Sequence, residues 1–233
     1  MARLDRQLPL LGNELQNKLR NVRAAIFGVG GLGSFVSTLL ACLGVGELIL
    51  VDRDKVAISD LNRQILYTIL DVGRYKCIPA VKRLREFAPD VQVEGVVLDV
   101  RARSGVERVV EKVSIVFNCL DNPEARLIIN DVCVRYRKIM IYGGVEDLRG
   151  VIMSYVPDVS PCLRCVFRFG GTRRINVIAS TCAVVAAFQV MELIKILENN
   201  YDPVLTYVDL REHVVTTYKL ERPTTCDTCQ IVH

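Results

Sequence analysis

The feature that most constrains this 233-residue chain is a glycine cluster, Gly28-Val29-Gly30-Gly31-Leu32-Gly33, set between a β-rich apolar run at residues 22–27 and a helical stretch at 32–43. A strand that stops at glycines and turns straight into a helix brings backbone amides and a helix N-terminus to one point. That arrangement lets a chain approach phosphate closely. A second strand at 48–51 ends on Asp52, where a carboxylate can accept from ribose hydroxyls. Alone, these features say nucleotide and no more. A dinucleotide-dependent dehydrogenase is the default owner of such a fingerprint, and a tight turn without ligand is the plainer reading.

Beyond Asp52 the first two-thirds of the chain alternates short apolar runs with amphipathic stretches, the pattern of parallel strands joined by helices. Residues 76–87 have helical spacing in Ile78, Val81, Leu84 and Arg85; 91–98 alternate as a strand, and 113–118 read as a buried strand. Asn122-Pro123 opens a helix, since Asn caps well and Pro suits the first helical position. A strand at 139–142 closes this half. After Gly143-Gly144 the texture changes. Residues 151–156 are strand-like, 167–176 form an Arg- and Gly-rich irregular loop, and a long helix spans 180–198. Segments 204–210 and 214–220 read as an antiparallel hairpin. The expected fold is α/β, a mostly parallel sheet flanked by helices with an antiparallel C-terminal portion.

A hydrophobic content of 51% supports a large core and argues against disorder. The net charge of +4 demands no nucleic acid and repels neither an acidic partner nor a polyphosphate. The richest apolar stretches, 35–46 and 178–191, are interrupted by Ser, Thr, Cys and Gln and fall short of a membrane span. The N-terminus alternates charge with apolar residues, unlike a signal peptide. A cytoplasmic protein with no membrane partner is expected. Of nine cysteines, Cys42, Cys77, Cys119, Cys133 and Cys182 are scattered in apolar stretches, where a reduced Cys acts as a small hydrophobe. The other four form two tight pairs, Cys162/Cys165 and Cys226/Cys229. Metal explains these better than disulfide does: two CxxC pairs make a four-thiolate zinc site, closed and therefore structural.

The residues after Asp52 are not dehydrogenase-like. Arg63 and Lys76 can place two cations at one nucleotide site, as a triphosphate with a departing pyrophosphate requires. A hydride-transfer cofactor, with two backbone phosphates, needs no such clamp. Exposed surface charge is the plainer reading of both residues. Asp121 follows the buried strand at 113–118, the end at which open α/β sheets bind ligands. A carboxylate there, opposite phosphates and cations, suits magnesium; helix capping is the alternative, but Asn122 serves for that.

In order, GVGGLG, VDRDKVAISDLNRQ, GRYK, NCLDNPEAR and the two CxxC pairs resemble the ThiF/MoeB/HesA family, the ubiquitin-activating-enzyme-like adenylyltransferases. The resemblance runs from Arg3 to Cys229. It implies a single Rossmann-like ThiF-type domain over 1–233, with a nucleotide-binding half at 1–145 and a carrier-protein-binding half with the zinc at 146–233. It further implies a homodimer that uses ATP and magnesium to adenylate the C-terminal glycine of a ubiquitin-like or sulfur-carrier protein ending in Gly-Gly, releasing pyrophosphate. On this resemblance Gly28, Gly30, Gly31 and Gly33 form the phosphate turn and Asp52 is the ribose-binding acid. Arg63 and Lys76 are the phosphate cations, and Asp54, Asn62, Gln64 and Leu120 complete the nucleotide pocket. Asp121 is the magnesium-linked aspartate, and Arg6 is the arginine reaching across the dimer interface to the partner's ATP. Position 60 is Asp where relatives commonly have Asn.

Many relatives carry a nucleophilic cysteine in the loop before the long helix, and this chain has none between Cys165 and Ser180. Cys182, at the expected helix start, is the remaining candidate, because helix N-termini lower a thiol pKa; packing is its plainer role. Three other readings fit less well. Adenylation of a carboxylate on modified tRNA sits poorly with the zinc pairs and the modest charge. A non-catalytic partner subunit would not need Arg6, Asp52, Arg63, Lys76 and Asp121 together. An NAD-dependent dehydrogenase lacks a hydride-transfer acid or base, since the only histidines, His213 and His233, come late in the chain.

Overall fold

The computed structural model describes residues 2–168 and 176–229. An eight-stranded sheet runs through it in the order β3-β2-β1-β4-β5-β6-β7-β8. β1 (Arg23–Phe27), β2 (Glu47–Val51), β3 (Gln92–Val96), β4 (Ile115–Asn118) and β5 (Ile139–Glu146) are parallel. β6 (Arg149–Tyr155), β7 (Val204–Asp209) and β8 (Val214–Lys219) continue it antiparallel.

β1, β2 and β4 read as apolar runs because both of their faces are covered, whereas β3 at the sheet edge buries only Val93 fully. Ala24, Ile26, Leu48, Leu50 and Phe117 point into one core with Leu19 of α1 (Leu8–Arg20), Val36 and Leu40 of α2 (Gly31–Leu43) and Leu84 of α3 (Cys77–Phe87). Ala25, Phe27, Ile49, Val51 and Val116 point into the other, with Val106 and Val110 of α4 (Arg103–Glu111) and Ile129 and Val132 of α5 (Pro123–Arg135). Leu163 of the short α6 (Leu163–Val166) joins the second core, and Val185 and Leu193 of α7 (Ala179–Leu197) join the first.

Three features differ from the sequence reading. α1 and α4 were not legible: α1 is broken at Gly12, φ 72°, and neither helix has a side-chain cap. β5 does not end at Tyr142 but runs on through Gly143 and Gly144 to pair with β6. Glycine is needed there because a Cβ on Gly143 would lie 2.5 Å from the Gln189 side chain of α7. Finally, α7, with 19 residues and a mean hydropathy of 1.6, is long and apolar enough to cross a membrane despite its polar interruptions. Here it is a core helix packed on α2, β5 and β6, and its buried Thr181, Gln189 and Glu192 find partners inside the protein. Most of the expected irregular loop, residues 169–175, lies outside the described residues.

Candidate active site

Strand order reverses between β1 and β4, and a cleft of about 360 Å³ opens at the carboxyl ends of these parallel strands. Gly28 leaves β1 with φ +88°, and a Cβ there would lie 2.9 Å from the Cys119 carbonyl oxygen beyond β4. Only glycine permits that turn and that approach. A Cβ on Gly33 would meet the Gly28 carbonyl oxygen at 1.8 Å, so Gly33 seats α2 against the strand end and does not itself line the cleft. Gly30 caps α2 and Gly31 begins it, so the helix opens into the cleft with its unpaired amides and positive dipole end. Val29 is held from both sides: its N–H donates to Asp52 Oδ2 at 2.8 Å, and its carbonyl accepts from the Tyr67 hydroxyl at 2.7 Å. Burial raises the Asp52 carboxyl above its ordinary range, opposed by the Asp54 amide, by Lys76 and by the Val29 amide.

The two cations are not free surface charges. Lys76 is only 7% exposed, with Nζ 3.6 Å from Asp60 Oδ2 and 4.0 Å from Asp54 Oδ2. The Arg63 guanidinium donates to the Ser59 carbonyl at 2.8 Å and to Asn62 Oδ1 at 2.9 Å, and its stem packs against Gly31. Asn62 therefore steadies Arg63 from outside the cleft lining. Buried Gln64 donates from Nε2 to Asp60 Oδ1 at 2.8 Å, while its Oε1 is buried without a partner among the described residues. An orphaned acceptor in a cleft wall is what a ligand hydroxyl or amine would satisfy. Leu120 and Asp121 line the wall after β4. Asn122 Oδ1 caps α5 by accepting from the Ala125 N–H at 3.0 Å, which leaves the exposed Asp121 to the cleft.

Arg6 stands apart. Its neighbours Arg3 and Gln7 donate to the carbonyls of Ala41, Cys42 and Leu43, at the C-terminal end of α2. A helix of 13 residues puts that end roughly 20 Å from the glycine turn. Arg6 is exposed and does not line the cleft of its own chain.

Tyr67 and Arg126 escaped sequence reasoning, and Asp60 stood out there only as a departure from the Asn that relatives commonly carry. Asp60 joins Lys76, Arg63 and Gln64, and Tyr67 pins the glycine turn. Arg126 lines the cleft with Nε donating to the Leu120 carbonyl at 2.7 Å and its guanidinium 5.4 Å from the Tyr142 ring centre. Only Arg126 had a readable signal: it lies four residues past Asn122, on the same face of the first turn of α5. Cys182 also reaches the cleft, its Sγ beneath Gly31, where a Cβ would lie 2.9 Å away. Burial pushes this thiol up to about 11, and nearby Arg63 lowers it only in part.

The four paired cysteines converge elsewhere, and none lines the cleft. Their Sγ atoms lie within 4.8 Å of one another, with Cys162–Cys165 at 3.8 Å and Cys165–Cys229 at 3.6 Å. Sulfurs held tetrahedrally about 2.3 Å from zinc are spaced about 3.8 Å apart, so this donor set fits a closed zinc site.

The family model for ThiF matches residues 4–228. The chain belongs to the ThiF family. Among ThiF-family relatives, the heterocyst protein HesA of Trichormus variabilis is 30% identical over 98% of this chain and 88% of that protein. The sulfur carrier protein ThiS adenylyltransferase of Bacillus subtilis is 37% identical over 86% of this chain and 62% of that protein. The crystal structure of Escherichia coli MccB with ATP superposes with a TM-score of 0.86 at 25% identity, covering 97% of this chain and 73% of that one.

Proposed function

We propose that this ThiF-family protein adenylates the C-terminal glycine carboxylate of a ubiquitin-like or sulfur-carrier protein, consuming ATP and releasing pyrophosphate. One observation carries the reading: a helix N-terminus, Arg63, Lys76 and Asp121 line a single cleft at the switch point of the sheet. The name of the Bacillus subtilis relative, an adenylyltransferase of a sulfur carrier, and the ATP in the MccB structure support it.

In this reading Asp52 receives the ribose and the amides of the glycine turn receive phosphate. A carboxylate oxygen of the carrier attacks the α-phosphorus, and a new P–O bond forms. The bond from that phosphorus to the bridging oxygen breaks, and its electron pair leaves with pyrophosphate. No proton need move, so the chain's task is alignment and charge neutralisation, supplied by Arg63, Lys76 and the α2 N-terminus. Asp121 is the residue to hold magnesium, which when bound adds positive charge beside the phosphates. The carrier's body rests on the half from residue 146 onward, and its glycine tail enters past Gly143, Val145 and Val177, which line the cleft.

The active unit is a homodimer. Arg6 sits too far from its own cleft to serve it, and the segment around the cations exposes Ile58, Ile69, Leu70 and Ile78 at 58–80%, a surface suited to a second copy. Two measurements test this. ATP–pyrophosphate exchange should require magnesium and a small carrier ending in Gly-Gly; tight NAD binding with no response to ATP would sink the reading. Mixing inactive Arg6→Ala with inactive Asp121→Ala protein should restore exchange, because each hybrid dimer keeps one intact composite site. No recovery despite verified subunit exchange would remove Arg6 from the partner's site.

A further inference from the structure

Arg63 and Lys76, two of the cations that line the cleft, lean on one carboxylate. Asp60 Oδ2 lies 3.6 Å from Lys76 Nζ, and Asp60 Oδ1 lies 3.5 Å from Arg63 Nη2. The carboxylate is itself fixed: Oδ2 accepts from the Ala57 N–H at 3.0 Å and Oδ1 from Gln64 Nε2 at 2.8 Å. Asp60 and Lys76 are 8% and 7% exposed; of the other acids, Asp52 acts on Lys76 only from beyond ion-pair distance, and Asp54 is 4.0 Å away with a side chain 60% exposed. A buried ammonium without an anion is strongly disfavoured, so Lys76 needs a negative partner whether or not the cleft is filled.

We propose that Asp60 is the resident anion of the cleft, a positioning residue that holds Lys76 and Arg63 when no polyphosphate is bound and competes with pyrophosphate for them afterwards. The inference rests on the adenylation reading above. Its consequence is weaker product binding. A fixed negative charge beside the anion-binding cations lowers affinity for pyrophosphate and gives both cations a partner to return to as the product leaves.

The substitution Asp60→Asn removes the charge and keeps the contacts. Its side-chain oxygen can still accept from Ala57, and its NH2 meets Gln64, whose amide can turn over to offer the unpartnered Oε1. Calorimetric titration of the full chain with inorganic pyrophosphate and magnesium reads the effect directly, without any carrier protein. Asp60→Asn should bind pyrophosphate about tenfold more tightly than wild type, as expected for one fewer negative charge a few ångströms from the ligand. Asp60→Glu, which keeps the charge, should stay near wild-type affinity, and Asp60→Ser should also bind more tightly should the amide variant fold poorly. In exchange assays the neutral variants should show a lower KM for ATP together with a lower kcat. A residue that merely supports the fold would weaken binding when replaced, not strengthen it. Equal or weaker pyrophosphate binding by both neutral variants overturns the role of Asp60 and leaves the adenylation reading standing. No pyrophosphate binding by wild type overturns both.

Discussion

Around the cleft, side chains are held by strands buried on both faces: β1, β2 and β4 are nearly solvent-free along their length, and the glycine turn, the segment from Asp52 to Lys76 and Asp121 follow directly from them. Around the four cysteines the sheet thins out. β8 is an edge strand with Val214, Val215 and Tyr218 exposed by 44–54%, and the segment after it contributes little to either core apart from Leu220 and its two cysteines. Cys162 and Cys229 are buried in the second core, whereas Cys165 and Cys226 are only half-buried. Burial thus fixes the first region, and in the second a four-thiol cluster that fits zinc stands where burial is thin. The two regions should fail independently and by different routes.

The largest expected effect breaks the second region. Replacing Cys162 or Cys229 with Ser leaves three thiolates, so zinc content should fall well below one per chain. Structural zinc binding is worth of order ten kcal/mol, so even partial loss should lower Tm by roughly 10 °C or more. Hydrogen exchange should rise first in β7, β8 and the segment after them. An unchanged Tm with no zinc bound would mean that packing alone holds the C-terminal segment.

Breaking the first region needs only one methyl group. In Gly33→Ala the new Cβ meets backbone at 1.8 Å, and no flexible side chain can yield, so α2 must shift from the end of β1. A loss of about 3 kcal/mol or more is expected, with nucleotide affinity falling and zinc content unchanged. Simultaneous loss of zinc would show that the two regions are coupled after all.

A finer cut is Tyr67→Phe, which removes the only hydrogen bond described on the Val29 carbonyl and leaves the ring in place. The change should cost about 1 kcal/mol, read as a severalfold higher KM for ATP with little change in Tm. An unaltered KM would mean that Asp52 alone holds the turn.

This contrast also explains what the sequence disclosed. The glycine turn, Asp52, the Asn122 cap and the cysteine pairs were legible because each is a local pattern with one physical use. Strands β1, β2 and β4 were legible because burial on both faces leaves no polar alternation. The contacts of Asp60 and Tyr67 were not, since their partners, Lys76 and Val29, lie 16 and 38 residues away and are brought close only by the tertiary fold. α1 escaped because a kink at Gly12 breaks its periodicity. The extension of β5 escaped because Gly143-Gly144 usually ends a strand, while here glycine admits Gln189.

The smallest expected effect concerns Cys182, the residue on which the two regions come closest in chemistry, a thiol placed in the nucleotide cleft. Its position in the first turn of α7 favours thiolate, and so does Arg63, but burial opposes both and prevails, pushing the thiol up to about 11. With the pKa raised, thiolate is scarce at neutral pH and appears only as pH climbs toward that value. Adenylation needs no thiol, because the carrier's carboxylate attacks phosphorus directly. Cys182→Ser should therefore leave pyrophosphate exchange within about twofold of wild type from pH 6 to 9, with no change in the shape of the pH profile. Alkylation by iodoacetamide should modify the exposed Cys42 first, and Cys182 slowly, faster as pH rises. If Cys182→Ser instead keeps exchange but abolishes a thiol-sensitive carrier adduct, Cys182 is a transfer nucleophile despite its burial. If every step survives, any transfer cysteine belongs to another protein.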